Sequence, residues 1–307
     1  MSATHPETGR QATAPTVGFV GLGHMGGAMA ARLLAAGHPV VGTRRSRPQA
    51  EDLLRLGLQW RDDPREVAAS ADVLVTSLPD DRALAAAASG ADGVLAGLRE
   101  GAVWVEMSTV SPHASRELAA CVRKGSAALL DAPVSGSVPQ ARAGALTIMV
   151  GGDRGAYDRV EPILRELGSP THLGSNGQGL VLKLAINISL AVQMLSFSEG
   201  LLLATRSGID RDLARDVMAS SAIGSPMLRA RAPLVFDLPS DAWFSLALMH
   251  KDVDLARDVA RGLGVPLPTA DRAEQLLSLA SILGYDDRDL AALYQVLEET
   301  TDAQAVA

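Results

Sequence analysis

The sequence predicts an α/β domain followed by an all-helical domain. Through residue 175, short aliphatic and β-branched runs alternate with alanine-rich helical stretches, the pattern of a parallel sheet covered by helices on both faces. After Asn176 no β-branched run remains, and the chain continues as long amphipathic helices separated by Gly and Pro. The length of 307 residues also favours two domains. We place these domains at residues 16–176 and 177–307, with a disordered tail at residues 1–15.

The individual elements follow from the same two periodicities. Strands are expected where apolar, mostly β-branched residues form short runs, at residues 17–20, 40–43, 73–77, 103–106, 128–130 and 147–150. Helices are expected between most of them, at residues 25–36, 48–56, 64–70, 80–88, 112–124 and 154–167. The second domain is expected to contain helices at residues 178–207, 211–220, 242–263, 270–283 and 287–300.

Composition excludes several classes of protein. A formal charge of −7 without a basic run disfavours nucleic acid and anionic membranes as partners. The single cysteine, Cys121, rules out an internal disulfide and is expected to be a small core residue. The most apolar stretch, between Lys183 and Glu199, is shorter than the roughly 20 residues that a bilayer requires, so we expect a buried helix there. Residues 1–15 lack a targeting pattern, which indicates a cytoplasmic protein.

A glycine-rich loop joins the first predicted strand to the first predicted helix. Its sequence is Gly21-Leu22-Gly23-His24-Met25-Gly26. The first glycine permits a tight turn, the second lets the backbone approach a pyrophosphate, and the third lets the helix pack closely on the strand. Exposed N–H groups and the helix dipole then hold the phosphates. Because a strand precedes the loop and a helix follows it, we expect a dinucleotide-binding site and not a plain glycine turn.

The end of the second strand predicts which dinucleotide binds. Arg44, Arg45, Ser46 and Arg47 follow it, with no acid before Glu51. A carboxylate at this point would bind the ribose 2′-OH and repel a 2′-phosphate, whereas guanidinium and hydroxyl groups suit a phosphate dianion. We therefore predict NADP(H) in preference to NAD. The alternative is a solvated basic loop without a ligand.

Further motifs recur in order from about residue 16 to residue 300. They are Ser108-Thr109-Val110-Ser111-Pro112, Asp131-Ala132-Pro133-Val134-Ser135-Gly136-Ser137, Gly144-Ala145-Leu146-Thr147-Ile148-Met149-Val150-Gly151-Gly152, Gly177-Gln178-Gly179 with Lys183 and Asn187, and Leu248-Met249-His250-Lys251-Asp252. Together with the glycine loop, they resemble the β-hydroxyacid dehydrogenases, which include 3-hydroxyisobutyrate dehydrogenase and several semialdehyde reductases. The resemblance implies a Rossmann-type N-terminal domain, an all-α C-terminal domain that forms a homodimer or homotetramer, and a cleft between them.

Lys183 and Asn187 are the candidate catalytic pair. They are four residues apart in a helical stretch, so they project from one face. Burial of a lysine among apolar residues lowers its pKa, which suits proton transfer near neutral pH. A snorkelling lysine at the start of a helix is the alternative. By resemblance, Lys183 exchanges a proton with the substrate oxygen while hydride passes to or from the nicotinamide, and Asn187 holds that oxygen.

The substrate carboxylate is expected to bind in the Ser135-Gly136-Ser137 turn. Consecutive N–H groups and a serine hydroxyl form a nest for an anion, although serine and glycine also occur in ordinary turns. The family usually has a second glycine where this chain has Ser137, and the extra side chain is expected either to narrow the pocket or to add a hydrogen bond.

Strand ends supply the remaining candidates. Thr109 and the pair Leu78-Pro79 follow neighbouring strands at their carboxyl ends, where ligands of such sheets bind, and the resemblance places all three along the cofactor, with Thr109 also at the substrate. By the same resemblance Lys251 contacts the cofactor, while Asp252 and Phe244 close the substrate side of the pocket. No histidine has the spacing of a metal ligand, so no metal is expected.

We interpret the chain as an NAD(P)-dependent oxidoreductase that transfers hydride between NADPH and a small semialdehyde or β-hydroxyacid, with Lys183 as general acid and base. An imine reductase is one alternative, since such enzymes share the glycine loop but lack the serine-glycine turn and the lysine. Decarboxylating 6-phosphogluconate dehydrogenase is a second alternative, but its helical domain is much longer than the one predicted here. A catalytically silent dinucleotide-binding module is the third alternative, and Lys183 argues against it.

Overall fold

The computed structural model describes residues 14–306, with side chains described through Thr301. Most of the tail predicted at residues 1–15 therefore lies outside the described residues. All nine strands of the described part precede Gln178, and the elements that follow are helical. The predicted order, an α/β domain followed by an all-helical domain, is confirmed.

The strands form one twisted, mostly parallel sheet. They are β1 Val17–Val20, β2 Val40–Thr43, β3 Gln59–Trp60, β4 Val73–Thr76, β5 Val103–Glu106, β6 Ala128–Asp131, β7 Val134–Ser135, β8 Leu146–Gly152 and β9 Gly168–Gly174. Their order is β3-β2-β1-β4-β5-β6-β8-β7, with β9 pairing β8. The six strands that lead across the sheet from β3 to β6 in this order are parallel to one another. The strand β8, in contrast, runs antiparallel to both β6 and β7. The carboxyl ends of β1, β4, β5 and β6 thus share one edge.

Helices cover both faces of this sheet. They are α1 His24–Ala35, α2 Glu51–Arg55, α3 Pro64–Ser70, α4 Asp81–Ala88, α5 Val94–Gly97, α6 Pro112–Lys124, α7 Val138–Ala143 and α8 Arg154–Leu167. The central strands β1, β2, β4 and β5 are buried along their whole length, which explains their unbroken apolar runs. Separate apolar clusters form on the two faces of the sheet, one beneath α1 and α8 and the other beneath α3 and α6.

The second domain is built around one long helix. Its helices are α9 Gln178–Arg206, α10 Arg211–Ser220, α11 Pro226–Arg231, α12 Leu246–Leu263, α13 Pro268–Ile282 and α14 Leu293–Val306. The helix α9 packs against α10, α12, α13 and α14, and its amino-terminal part also contacts β8 of the sheet. Among the described residues, α9 alone is long and apolar enough to span a membrane, a test that the core helix of a globular domain also passes. Met194, Phe197 and Leu201 of α9 are buried in the core of this domain.

The structure corrects the sequence predictions on missing elements, on one helix boundary and on the position of Cys121. The strands β3, β7 and β9 and the helices α5, α7 and α11 were not predicted, because short or edge elements carry too few apolar residues to show a period. The helix predicted at residues 242–263 begins only at Leu246, so Phe244 lies in the preceding loop. Cys121 is exposed on α6, so its predicted core position is also wrong.

Candidate active site

The glycine loop has the geometry that a pyrophosphate requires. Gly21 has φ +99°, and a Cβ on it would lie 2.3 Å from the carbonyl oxygen of Ser77. A Cβ on Gly26 would lie 2.0 Å from the carbonyl oxygen of Gly21, so α1 approaches β1 as closely as backbone allows. A Cβ on Gly23, in contrast, would meet nothing within 4 Å among the described residues. The space above Gly23, at the amino terminus of α1, can therefore accept a phosphate group.

The other members of the loop differ in exposure. Leu22 is buried in the core beneath α1, so it offers a ligand only its backbone. Met25 packs partly against the same core, and His24 is exposed at the first position of α1. The predicted dinucleotide site is therefore formed mainly by backbone groups.

The arginines after β2 are not equivalent. The guanidinium of Arg44 donates to the carbonyl oxygen of Gln49 over 2.9 Å and to the Oε1 atom of Gln49 over 2.5 Å. Arg47 lies over the ring of Trp60, 5.8 Å from its centroid. Arg45 is exposed, and Ser46 is half-buried at the start of the next helical turn. Arg45 and Ser46 are therefore the better placed of the four to meet a 2′-phosphate.

A chain of hydrogen bonds and one ion pair, which we call the Lys183 network, links the two domains. The Nζ atom of Lys183 donates to the Oδ1 atom of Asn187 over 2.9 Å, and the Nδ2 atom of Asn187 donates to the Oδ2 atom of Asp252 over 2.5 Å. Lys251 forms an ion pair of 3.0 Å with the Oδ1 atom of Asp252. The Nζ atom of Lys251 also donates to the carbonyl oxygen of Thr109, just beyond β5. Five predicted site residues thus meet in one network.

The electrostatics of this network favour proton transfer. Burial lowers the pKa of Lys183 from 10.5 to about 8, Asp252 partly opposes this shift, and Lys251 adds to it. Burial also raises the pKa of Asp252, although Lys251 and Lys183 oppose that shift. Asp252 is 1% exposed, and its two carboxylate oxygens contact Asn187 and Lys251. The resemblance, in contrast, implies that Asp252 closes the substrate side of the pocket. An amine with a pKa of about 8 can give or take a proton close to neutral pH.

A second buried polar group lies at the carboxyl ends of β4 and β5. The Oε1 atom of Glu106 accepts hydrogen bonds from the Ser108 N–H over 2.9 Å and from the Thr76 hydroxyl over 3.3 Å. Ser108 in turn accepts from the N–H of Leu78 over 2.8 Å, so the ends of β4 and β5 are joined. Burial raises the pKa of Glu106 to about 7. This carboxyl supports Leu78 and the segment that leads to Thr109, while Pro79 is exposed beside them.

The Ser135-Gly136-Ser137 turn lies outside the Lys183 network. Ser135 belongs to β7 and pairs with Thr147 of β8. The N–H and the hydroxyl of Ser137 both donate to the Oε1 atom of Gln140, over 3.0 and 2.6 Å. The extra side chain at this position therefore adds a hydrogen bond at the start of α7.

Phe244 is also outside the network, in the loop before α12. Its N–H and that of Trp243 donate to the Oδ2 atom of Asp289, over 3.2 and 2.9 Å. Asp289 is fully buried and pairs with Arg231. This buried ion pair fixes the loop that presents Phe244.

His250 has neighbours that the sequence did not indicate. Its side chain lies near Asp254 and Glu274, and one potential ligand atom from each lies within 4.8 Å of the others. Arg257 binds the carboxylates of Asp254 and Glu274, and also that of Asp271. The guanidinium thus already supplies positive charge to the group, and the absence of a metal stays a prediction.

Comparisons with known proteins agree with this geometry. The family profile of the NAD binding domain of 6-phosphogluconate dehydrogenase matches residues 16–177. The profile for NAD-binding of NADP-dependent 3-hydroxyisobutyrate dehydrogenase matches residues 177–297. Glyoxylate/succinic semialdehyde reductase 2 of Arabidopsis thaliana is 31% identical over 99% of this chain and 86% of its own length. The mitochondrial 3-hydroxyisobutyrate dehydrogenase of Rattus norvegicus is 34% identical over 92% of this chain and 87% of its own length.

Solved structures give the same result. The 3-hydroxyisobutyrate dehydrogenase of Salmonella typhimurium superposes with a TM-score of 0.85 at 30% identity, covering 92% of this chain and 99% of its own. Psf3 in complex with NADP+ and 2-OPP also gives 0.85, at 28% identity and the same coverage. An imine reductase from Pseudomonas sp. gives 0.62 at 22% identity over 92% of this chain and 99% of its own, which shows a shared fold alone. The chain belongs to the β-hydroxyacid dehydrogenase family of NAD(P)-dependent oxidoreductases.

Proposed function

We propose that this enzyme transfers hydride between NADPH and a small semialdehyde or β-hydroxyacid that carries a carboxylate. The observation that carries this proposal is the Lys183 network, in which a half-buried lysine with a pKa of about 8 lies beside an amide held in one orientation. The nicotinamide, when bound over the carboxyl ends of the strands, supplies or receives the hydride.

Lys183 moves the proton that accompanies the hydride. In reduction its ammonium group donates a proton to the carbonyl oxygen as negative charge develops there, and in oxidation the neutral amine removes the alcohol proton. The side-chain amide of Asn187 donates a hydrogen bond to Asp252 through one of its two N–H groups. The second N–H of Asn187 is then left to orient the substrate oxygen. The serine-glycine turn at residues 135–137 is the proposed carboxylate site, with Phe244 on the opposite side of the substrate.

The substrate is tested by following NADPH oxidation with four small carbonyl acids: glyoxylate, succinic semialdehyde, tartronate semialdehyde and methylmalonate semialdehyde. The relatives named above support this choice, because their names include glyoxylate, succinic semialdehyde and 3-hydroxyisobutyrate. We expect turnover of at least one of them, and none of a cyclic imine measured in parallel. Tight NADPH binding without turnover of any of the four acids would contradict the proposal and favour a silent binding module.

We also propose a preference for NADP(H) over NAD(H), which Arg45 and Ser46 would provide. Arg45→Ala should lower kcat/KM for NADPH by roughly 10- to 100-fold, since a charge-assisted hydrogen bond contributes about 1.5–3 kcal/mol, and should leave the value for NADH nearly unchanged. Arg55→Ala, which removes an exposed arginine from α2, is the matched control. Comparable kcat/KM values for NADPH and NADH in the unmodified enzyme would disprove the preference.

The helical domain is the proposed surface for a homodimer or homotetramer. Large apolar side chains are exposed there, including Leu203, Ile223 and Ile282, which are 74, 57 and 81% exposed in the single chain. Several large apolar side chains exposed on one domain are typical of an interface between subunits. A cytoplasmic location, and the absence of nucleic acid and membrane partners, stay predictions.

A further inference from the structure

Asp131 occupies an unusual position between the two domains. It is the last residue of β6 and is fully buried. Its Oδ1 atom accepts a hydrogen bond from the N–H of Gly177 over 2.7 Å, and its Oδ2 atom accepts one from the N–H of Leu180 over 3.2 Å. The side-chain amide of Asn176 lies 3.5 Å from the same Oδ1 atom. The carboxylate of the sheet therefore binds the backbone of the first turn of α9.

These two bonds are the ones that the two side chains of a capping box normally make between them. The helix α9 begins at Gln178, and its cap residue, Gly177, has no side chain to satisfy the N–H groups of the first turn. Leu180 is the third helical residue, whose N–H is a usual target of a capping serine or aspartate. Asp131 thus caps α9 from 46 residues away in the sequence.

Glycines make room for this contact. A Cβ on Gly151 would lie 2.8 Å from both oxygens of the Asp131 carboxylate. A Cβ on Gly179 would lie 2.9 Å from one of these oxygens and 2.3 Å from the carbonyl oxygen of Met149. Three motifs of the sequence, which contain Asp131, Gly151 and Gly179, therefore converge on one carboxylate. Their convergence brings α9 against the backbone of the sheet.

The consequence concerns the catalytic pair. Lys183 follows Leu180 by three residues, so it projects from the next turn of the helix that Asp131 holds, and Asn187 lies one turn farther. Fixing the first turn sets both the position of α9 along its axis and its rotation. We propose that Asp131 is a positioning residue that aligns Lys183 and Asn187 with the nicotinamide side of the sheet, an inference that rests on the proposed function.

Two variants test this proposal. Asp131→Asn keeps the shape of the side chain but presents an NH2 group to one of the two N–H donors. Gly179→Ala pushes the helix from the carboxylate, and from the carbonyl oxygen of Met149, without altering Asp131. For both variants we expect kcat to fall about tenfold or more, because small displacements of catalytic groups are costly, while the Kd for NADPH stays within about twofold. Amide hydrogen exchange over residues 177–184, measured with NADPH bound, should become faster.

Two controls separate positioning from general stability. Leu164→Ala creates a cavity in the buried face of α8, away from the cleft, and Asp153→Asn alters the side chain that caps α8. At an equal loss of Tm, these variants should keep kcat within about twofold of the unmodified enzyme. Equal losses of kcat in the controls and in Asp131→Asn, or a kcat for Asp131→Asn close to the unmodified value, would overturn the proposal.

The exchange measurement also separates this inference from the proposed function. If the unmodified enzyme turns over none of the carbonyl acids, the proposed function fails, but the exchange rates of residues 177–184 still report on the cap. Unchanged exchange in Asp131→Asn and in Gly179→Ala would disprove the anchoring of α9 in that case. Should Asp131→Asn not fold, Gly179→Ala provides the same comparison.

Discussion

Only three of the 28 basic residues in the chain are lysines, and two of these, Lys183 and Lys251, lie in the Lys183 network. An arginine guanidinium keeps its proton in proteins, whereas an amine can lose it. A site that must transfer a proton therefore needs lysine even in a chain that otherwise prefers arginine. The third lysine, Lys124, is exposed at the end of α6, and nothing in the structure explains it.

The first prediction follows from this difference. Lys183→Arg should reduce kcat by roughly 10²- to 10⁴-fold, almost as much as Lys183→Ala, because neither side chain can exchange a proton with the substrate near neutral pH. Affinity for NADPH, measured by fluorescence titration, should stay nearly constant in both variants. Lys124→Arg is the matched control and should leave kcat unchanged. Substantial turnover by Lys183→Arg would remove Lys183 from the role of acid and base.

Glu106 has a separate effect, on stability. Its pKa is about 7 in the folded chain and 4.5 when unperturbed, so the folded state binds the extra proton between these two pH values. The free energy of unfolding therefore falls as pH rises from about 4.5 to 7 and stays lower above that range. The difference between the two pKa values corresponds to about 3 kcal/mol.

The second prediction is that Glu106→Gln stabilises the protein at alkaline pH. The amide oxygen can still accept from Ser108 and Thr76, but glutamine carries no buried charge. We expect Tm at pH 8 to rise by several degrees, from a gain of up to about 3 kcal/mol, with little change at pH 5, where Glu106 is already protonated. Calorimetry at the two pH values measures this difference. A loss of Tm of equal size at both values would contradict it.

At the scale of elements, α9 and α12 act together, because the charge on Asp252 of α12 raises the pKa of Lys183 on α9. Reduction requires protonated Lys183, so kcat/KM for the aldehyde should be constant below a pH of about 8 and fall above it. In the oxidation direction the dependence is reversed, and kcat/KM should rise to a plateau above that pH.

The third prediction concerns this pH profile. Asp252→Asn removes the negative charge that supports the ammonium form, so the pKa of Lys183 should fall and the decline of the reduction rate should begin at lower pH. Asp254→Asn, two residues farther along α12, is the control and should leave the profile in place. A profile that shifts to higher pH in Asp252→Asn would contradict the assignment of Lys183 as the titrating group.

Elements also differ in how well the sequence predicts them. The bounds of β1, β2 and β5 were predicted correctly, because strands buried on both faces must be apolar throughout. The sequence of β9 contains Gly and Pro and alternates between half-buried and exposed positions, so it has no apolar run to recognise. Phe244 was assigned to a helix because the apolar pattern of α12 continues into the loop that Asp289 holds.

The residues of the site also differ in how well the sequence predicts them. Helical spacing predicts that Lys183 and Asn187 share a face, and the structure joins them by a hydrogen bond. Asp131 and Glu106 were not predicted as site residues, because their partners lie in other elements and no periodicity reports such contacts. A polar residue at the end of an otherwise apolar strand was the available signal for both.

At the scale of the whole molecule, the exposed apolar surface of the helical domain is the main unexplained feature of a single chain. A groove of about 720 Å³ lies between α9 and the segment that joins α10 to α11, and it is lined in part by Val192, Phe197, Ile223 and Leu228. A second copy of the chain is the proposed occupant.

The fourth prediction tests this assembly. Ile223→Asp places a charge in the groove and should shift the protein toward monomer in analytical ultracentrifugation, because burying an unpaired carboxylate in an interface is costly. Leu56→Asp alters an equally exposed leucine in the first domain, 59% exposed, and should leave the assembly unchanged. A monomeric unmodified enzyme at micromolar concentration would disprove the proposed oligomer.

The crowding around the Asp131 carboxylate limits how this sequence can drift during evolution. A Cβ at position 151 would also lie 2.7 Å from the carbonyl oxygen of Ser175, and one at position 179 would lie 2.3 Å from that of Met149. A shorter residue 131 therefore makes room for neither side chain, and it leaves α9 without its cap. Each single change is therefore expected to be harmful, and no change at the other two positions is expected to compensate for it. We expect a library of random variants that is selected for activity to keep all three residues, at positions 131, 151 and 179.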